Sequence, residues 1–349
     1  MTYHENLNAQ NTLRLRELLK TLPQFAAGYF RSVSEQTASL TRLAYAYDLR
    51  LFFTFLSEEV LYVPPAEISV EQMQKIDDTH IEEFMEYLTY YVPISDSESD
   101  EKPVQNAVAG KSRKLAAVRR LFKYLYKRKY ISANPAELVD FPRLKEQPIT
   151  TLEADEVARL LDEVDSGENL TKHQKAFHAR TRLRDAAIIT LLLGTGMRVS
   201  ECVGIDLSDI DFEVNGLRVV RKGGDAMILY FGDEVRDALC AWLDRREEIE
   251  PLPGHENALF ISLHSKRITT RAVQKLVKKY AALITKLKNI SPHKLRSTFG
   301  TRLYSETGDI YLVANVLGHS DINTTRKHYA KMDDAHRRKA ANIVKLRDS

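Results

Sequence analysis

Gly194-Thr195-Gly196-Met197-Arg198-Val199-Ser200-Glu201 ends an apolar run, Ile188 to Leu193, and this stretch decides how the chain is read. The apolar run predicts a buried helix, and the paired glycines predict its end, because glycine adopts the left-handed conformation that closes a helix. A second helix then opens with Arg198 and Glu201 three residues apart, hence on one face. An arginine beside a glycine turn can be a plain surface residue, and Glu201 can be an ordinary first-turn charge.

Four further places gain weight from their order along the chain. Leu217 to Phe231 alternates apolar and polar residues around Gly223-Gly224, which predicts a β-hairpin with Lys222 at its tip. Ser291-Pro292-His293-Lys294-Leu295-Arg296 puts a histidine and an arginine on the first turn of a helix, three residues apart. Leu317-Gly318-His319-Ser320 offers a second histidine at a turn, and Lys327-His328-Tyr329 brings a tyrosine ten residues after it. Taken singly, each has a bland explanation as a turn, cap or core residue. Those explanations would have to hold together, in one order.

This ordered set resembles the tyrosine recombinase (phage integrase, Xer-like) family over roughly residues 40 to 335. The likeness is carried by GTGMRVSE, the hairpin lysine, HKLR, LGHS and the terminal tyrosine. It implies a catalytic set of Arg198, Lys222, His293, Arg296 and His319, with Tyr329 as nucleophile and Glu201 as a buttress. Many members carry a histidine after the second arginine; here it is Ser297, at a position outside the catalytic set. The helix containing Tyr47, Asp48, Leu49 and Arg50 looks like the family's N-terminal core-binding domain. The resemblance implies a site-specific recombinase working through a 3′-phosphotyrosyl intermediate and a Holliday junction. It also implies a homotetramer on two DNA sites, held through a C-terminal tail.

The chemistry is coherent in its own right. A tyrosine phenol has a pKa near 10, so only roughly 0.1% is ionised at pH 7, and it needs a proton acceptor and positive charge to attack. The family likeness gives the acceptor role to His293. Attack on a phosphodiester builds charge on two non-bridging oxygens, which the planar forks of Arg198 and Arg296 match. His319 can add a hydrogen bond, and Lys222 is a suitable general acid for the departing 5′ oxygen. A phosphotyrosine ester keeps the energy of the broken bond, so rejoining calls for no ATP. No P-loop motif and no carboxylate cluster for Mg²⁺ occurs, and no cofactor or metal is expected.

The flanking sequence predicts a mainly α chain with a small antiparallel sheet. A helical core-binding (SAM-like) domain over 1–140 precedes a linker at 141–150. A mixed α/β catalytic domain with a C-terminal tail helix then covers 151–349. In the first domain, helices are expected over Thr41–Glu58, Ile81–Tyr91 and about Val104–Tyr130, with an acidic loop from Asp96 to Glu101 between the last two. On the third, Leu115, Val118, Phe122 and Leu125 share a face opposite Arg113, Arg120 and Lys127. In the second domain, Thr151 is the expected first N-cap, and the polar segment Asp165 to Arg182 reads as a loop or irregular helix. A tail helix is expected over Asp333–Val344, packing on a neighbouring protomer or folding back on its own chain.

The net charge of +3 conceals segregation. Lys102 to Ala136 holds ten basic residues and no acid, and Asn257 to Ser305 holds eleven and no acid. The other 30 basic residues share the chain with 48 acidic ones, so two positive surfaces sit on a negative body. Such surfaces suit a large polyanion, here double-stranded DNA, although each alone could be a solvated face. The expected phosphate contacts are Lys111, Arg113, Lys114, Arg120, Lys123 and Lys127 in the first domain. In the second they are Lys266, Arg271 and Lys275, with the two domains closing as a clamp. Two cysteines, no run of about 18 apolar residues and no signal-like N-terminus point to a cytoplasmic, nucleoid-associated protein without a membrane anchor. A type IB topoisomerase and a non-catalytic DNA-binding factor remain the rival readings. The former would relax plasmids lacking a cognate site, and the latter should have lost part of the catalytic set.

Overall fold

The computed structural model describes residues 3–92, 103–143, 150–221 and 226–318. The chain divides into two units, Met1–Glu146 and Gln147–Ser349. The acidic loop, most of the expected linker, the hairpin tip and the tail lie outside the described residues.

The first unit is helical: α1 (Tyr3–Leu19), α2 (Gln24–Ser32), α3 (Ser39–Phe55), α4 (Val70–Met73), α5 (Asp78–Tyr87) and α6 (Val108–Lys127). Its core forms where apolar stripes meet. Leu49, Phe52 and Phe53 of α3 are fully buried, as are Ile81 and Phe84 of α5 and Leu115, Val118, Phe122 and Leu125 of α6. Phe52 meets Phe84 edge to face, with ring centroids 5.0 Å apart, and Phe122 likewise at 6.1 Å. Each such side chain contributes about 1.5–3 kcal/mol by leaving water. Two helices are shorter than expected. Tyr91 and Val104 exchange both backbone hydrogen bonds, which draws the chain out of helix at the end of α5 and the start of α6.

The second unit contains α7 (Ala154–Ser166), α8 (Lys172–Thr195), α9 (Val199–Gly204), β1 (Ile210–Asp211), β2 (Gly216–Val220) and β3 (Ala226–Tyr230). It continues through α10 (Asp233–Glu247), α11 (Thr270–Ile284), α12 (Pro292–Thr307) and α13 (Ile310–Leu317). The strands form one antiparallel sheet in the order β1-β2-β3, with Leu217 opposite Leu229 and Val219 opposite Met227. Leu217 and Val219 face inward while Arg218 is exposed, as the alternation predicts. The mainly helical chain with a small antiparallel sheet agrees with the expected fold class.

Helix α8 is the spine of this unit. Ala187 to Leu192 is buried throughout, which is why the sequence there is apolar but for Thr190. Two expectations are corrected here. The N-cap of α7 is Glu153, not Thr151: Leu152 N–H donates to Thr298 Oγ1 (3.0 Å) and Lys288 Nζ donates to Thr151 O (3.1 Å), so residues 151 and 152 are tied to other elements and the helix begins beyond them. The segment Asp165 to Arg182 is neither loop nor irregular from Lys172 onward. Thr171 and Gln174 form a reciprocal cap and His178 is buried against Val164 O, so α8 runs regularly through it.

Candidate active site

Helix α8 ends with Gly196 in the left-handed region (φ +63°), its N–H donating to Leu192 O at 3.1 Å. A side chain here would be strained by that φ, and its Cβ would run into the Phe299 ring and lie 2.9 Å from a Leu317 methyl. The tight turn delivers Arg198 to the N-cap position of α9. Arg198 then makes two bonds to one carboxylate. Its backbone N–H donates to Glu201 Oε2 and its Nη1 to Glu201 Oε1, both at 2.8 Å. The Glu201 side chain is only 4% exposed, whereas that of Arg198 is 35% exposed. A buried carboxylate therefore aims a guanidinium that is itself partly exposed.

Arg296 arrives from α12. Ser291 and Pro292 start that helix, proline being suited to a first position that needs no N–H. The Arg296 side chain is buried; its Nη1 donates to Gly196 O at 2.7 Å, and its Nη2 donates to Leu317 O. Arg198 Nη2 donates to the next carbonyl, Gly318 O, at 3.0 Å. Two arginines nearly a hundred residues apart thus rest on consecutive carbonyls at the end of α13. His293 lies three residues before Arg296, on the first turn of α12, and is exposed to solvent. Lys222, His319 and Tyr329 lie outside the described residues; in sequence, Lys222 follows the last described residue of the β2 side and His319 follows Gly318.

Sequence reasoning missed Arg221. Its Nη2 donates to Val316 O at 2.7 Å and its Nη1 to Asn315 O at 3.3 Å, so it too lies on the end of α13. Nothing in its local sequence sets it apart from an ordinary strand-end arginine. Burial lowers its pKa, and the charge of Arg198 lowers it further, while Glu201 opposes both.

The expected DNA contacts divide by environment. Arg113, Arg120, Lys123 and Lys127 are exposed along α6. Arg113 also pairs with Asp48, and Arg120 lies over the Tyr45 ring, 5.5 Å from its centroid. Lys111 donates to Thr89 Oγ1 at 2.6 Å. Lys114 is buried and donates to Asn106 Oδ1 at 2.8 Å, and burial lowers its pKa. In the second unit, Arg271, Lys275 and Lys278 are exposed at helical spacing on α11, and Lys266 is exposed in the turn before it.

Residues 150–336 match the model of the phage integrase family. Across 326 residues the chain is 32% identical to the tyrosine recombinase XerC of Caldanaerobacter subterraneus subsp. tengcongensis, covering 90% of this chain and 84% of the relative. It is 29% identical over 311 residues to the XerC of Syntrophus aciditrophicus, covering 86% and 90%. Among solved structures, XerH bound to a palindromic difH substrate, a post-cleavage complex, is similar with a TM-score of 0.62 and 22% identity, over 88% of this chain and 80% of that one. A lambda integrase tetramer bound to a Holliday junction is similar with a TM-score of 0.58 and 15% identity, over 87% and 76%. At those identities the structural likeness speaks for the fold.

Proposed function

The chain belongs to the phage integrase family of tyrosine recombinases, and from that premise we propose how its residues cut and rejoin DNA. It is a site-specific DNA recombinase. The observation that carries the residue assignment is the convergence of Arg198 and Arg296 on the carbonyls of Gly318 and Leu317, next in sequence to His319.

The two guanidiniums bind the non-bridging oxygens of the scissile phosphate, where charge grows in the transition state. One well-placed donor of this kind is worth about 2.7–4 kcal/mol. Tyr329 Oη attacks the phosphorus as His293 takes up its proton. The bond to the 5′ oxygen breaks, and Lys222 protonates that oxygen. The 3′-phosphotyrosyl ester that results is then attacked by a 5′ hydroxyl of the partner strand, which restores the phosphodiester and frees the tyrosine. His319 donates to the phosphate throughout. The bond count is conserved in each step, so no high-energy cofactor enters.

Exposed basic residues on α6 and on α11 contact the DNA backbone. The active assembly is a homotetramer on two duplexes, with residues 333–344 docking on a neighbour. Chromosomal or mobile-element DNA as substrate puts the enzyme at the nucleoid, in the cytoplasm. Among the described residues, no helix is long and apolar enough to cross a membrane.

The test is a nicked candidate-site duplex that traps the covalent state. Wild type should give a denaturation-resistant protein–DNA adduct. Tyr329→Phe should bind the same duplex and trap nothing; an adduct with that variant would overturn the assignment.

A further inference from the structure

We propose that Arg221 is a positioning residue of the active site, holding the end of α13 so that Arg198 and Arg296 are aimed at the phosphate; this rests on the recombinase reading above. The last carbonyls of a helix have no partner within it and carry the negative end of its dipole. At α13 four successive carbonyls, of Asn315, Val316, Leu317 and Gly318, are met by three guanidiniums. Arg221 takes the first two, Arg296 the third and Arg198 the fourth.

The three arginines come from separate elements: β2's end, the loop before α9, and α12. Arg221 therefore joins the sheet to the same helix end on which the catalytic pair rests. Its fork spans two carbonyls one residue apart, a fit to guanidinium geometry that a single ammonium does not reproduce. The approach is close: any Cβ on Gly318, itself at φ +62°, would collide with the Arg221 guanidinium. The Arg221 Nε is buried with no hydrogen-bond partner. A buried charged donor left unsatisfied is unfavourable for stability alone. The arrangement is better accounted for by what it orders, which is the peptide unit that bears on Arg198 and Arg296.

Removing the Arg221 fork leaves Val316 O uncapped and Asn315 O with only the Gly318 N–H, and lets the final turn of α13 shift. The carbonyls of Leu317 and Gly318 then move with it, and both catalytic guanidiniums lose their reference. A displacement of about 1 Å at a catalytic group can cost on the order of 10²-fold in rate. Arg221 touches no reacting atom in this account, so DNA affinity should be preserved while the cleavage step slows.

Full-length Arg221→Ala, Arg221→Lys and wild type would be compared on the nicked duplex, by gel shift for binding and by rate of adduct formation for cleavage. The expected result is unchanged binding with cleavage slowed by on the order of 10²-fold in Arg221→Ala. Arg221→Lys should recover little of the rate. Millimolar methylguanidinium should restore part of the rate to Arg221→Ala and none to Tyr329→Phe. A role in folding alone would instead lower Tm and weaken DNA binding along with cleavage in Arg221→Ala. Wild-type cleavage by Arg221→Ala would overturn the proposal, as would full activity in Arg221→Lys or a slowed Arg221→Ala that methylguanidinium leaves unchanged. If wild type itself forms no adduct, it is the recombinase reading that fails.

Discussion

Glu201 accepts from both the backbone and the guanidinium of Arg198, each at 2.8 Å, so one buried carboxylate fixes the start of α9 and the aim of the Arg198 guanidinium together. Glu201→Gln keeps the shape but removes the charge. Cleavage of the nicked duplex should fall by about tenfold or more, the loss of a charge-assisted bond being worth about 1.5–3 kcal/mol. Binding measured by gel shift should be unchanged. A variant as fast as wild type would show that the pair only starts the helix.

Gly196 is closed to side chains twice over, by its φ of +63° and by the Phe299 ring and Leu317 methyl where a Cβ would stand. Gly196→Ala should cost about 1–2 kcal/mol from the backbone alone, and overpacking adds to it. Thermal unfolding should show a lowered Tm, and adduct formation should drop because Gly196 O also holds Arg296.

The exposed row on α6 should behave as a set of phosphate contacts. Arg120→Ala and Lys127→Ala should each weaken binding to cognate and unrelated duplexes alike, and reduce the slope of log affinity against log salt by about 1. Lys114→Ala should differ in kind. That side chain is buried on Asn106 Oδ1, so its loss should lower Tm rather than change the salt slope.

Asp48 is buried beside Arg113 and Lys114. Burial pushes its carboxyl above the usual carboxylate range, and the two cations only partly pull it back. The native state therefore holds this proton at a pH where the unfolded chain has released it. Between the unfolded and the raised native value, stability falls as pH rises. Comparing thermal midpoints of wild type and Asp48→Asn across acidic pH, the difference should move in favour of wild type as pH is lowered through that window. A difference independent of pH would contradict the shift.

Much of the site was legible because its signals are local. A glycine after an apolar run encodes the end of α8, proline after Ser291 encodes the start of α12, and Arg198 with Glu201 or His293 with Arg296 share a face by spacing alone. Helix ends were harder. The Tyr91–Val104 bridge and the ties from Thr298 and Lys288 reset the ends of α5, α6 and α7 through partners far away in sequence. The polar stretch before Arg182 lacked an amphipathic pattern, yet capping by Thr171 and burial of His178 make it helix.

The amino-acid sequence by itself determined the family and the mainly helical class with its small antiparallel sheet, and it named the candidate residues for phosphoryl transfer. Each is written in a few neighbouring residues or in the order of short motifs. Only the tertiary structure decided that Lys114 turns inward while Arg120 faces solvent, and that Arg221 joins Arg198 and Arg296 at one helix end. Those outcomes depend on how separate elements pack, because a guanidinium finds a carbonyl about a hundred residues away only once the helices between them have taken their places.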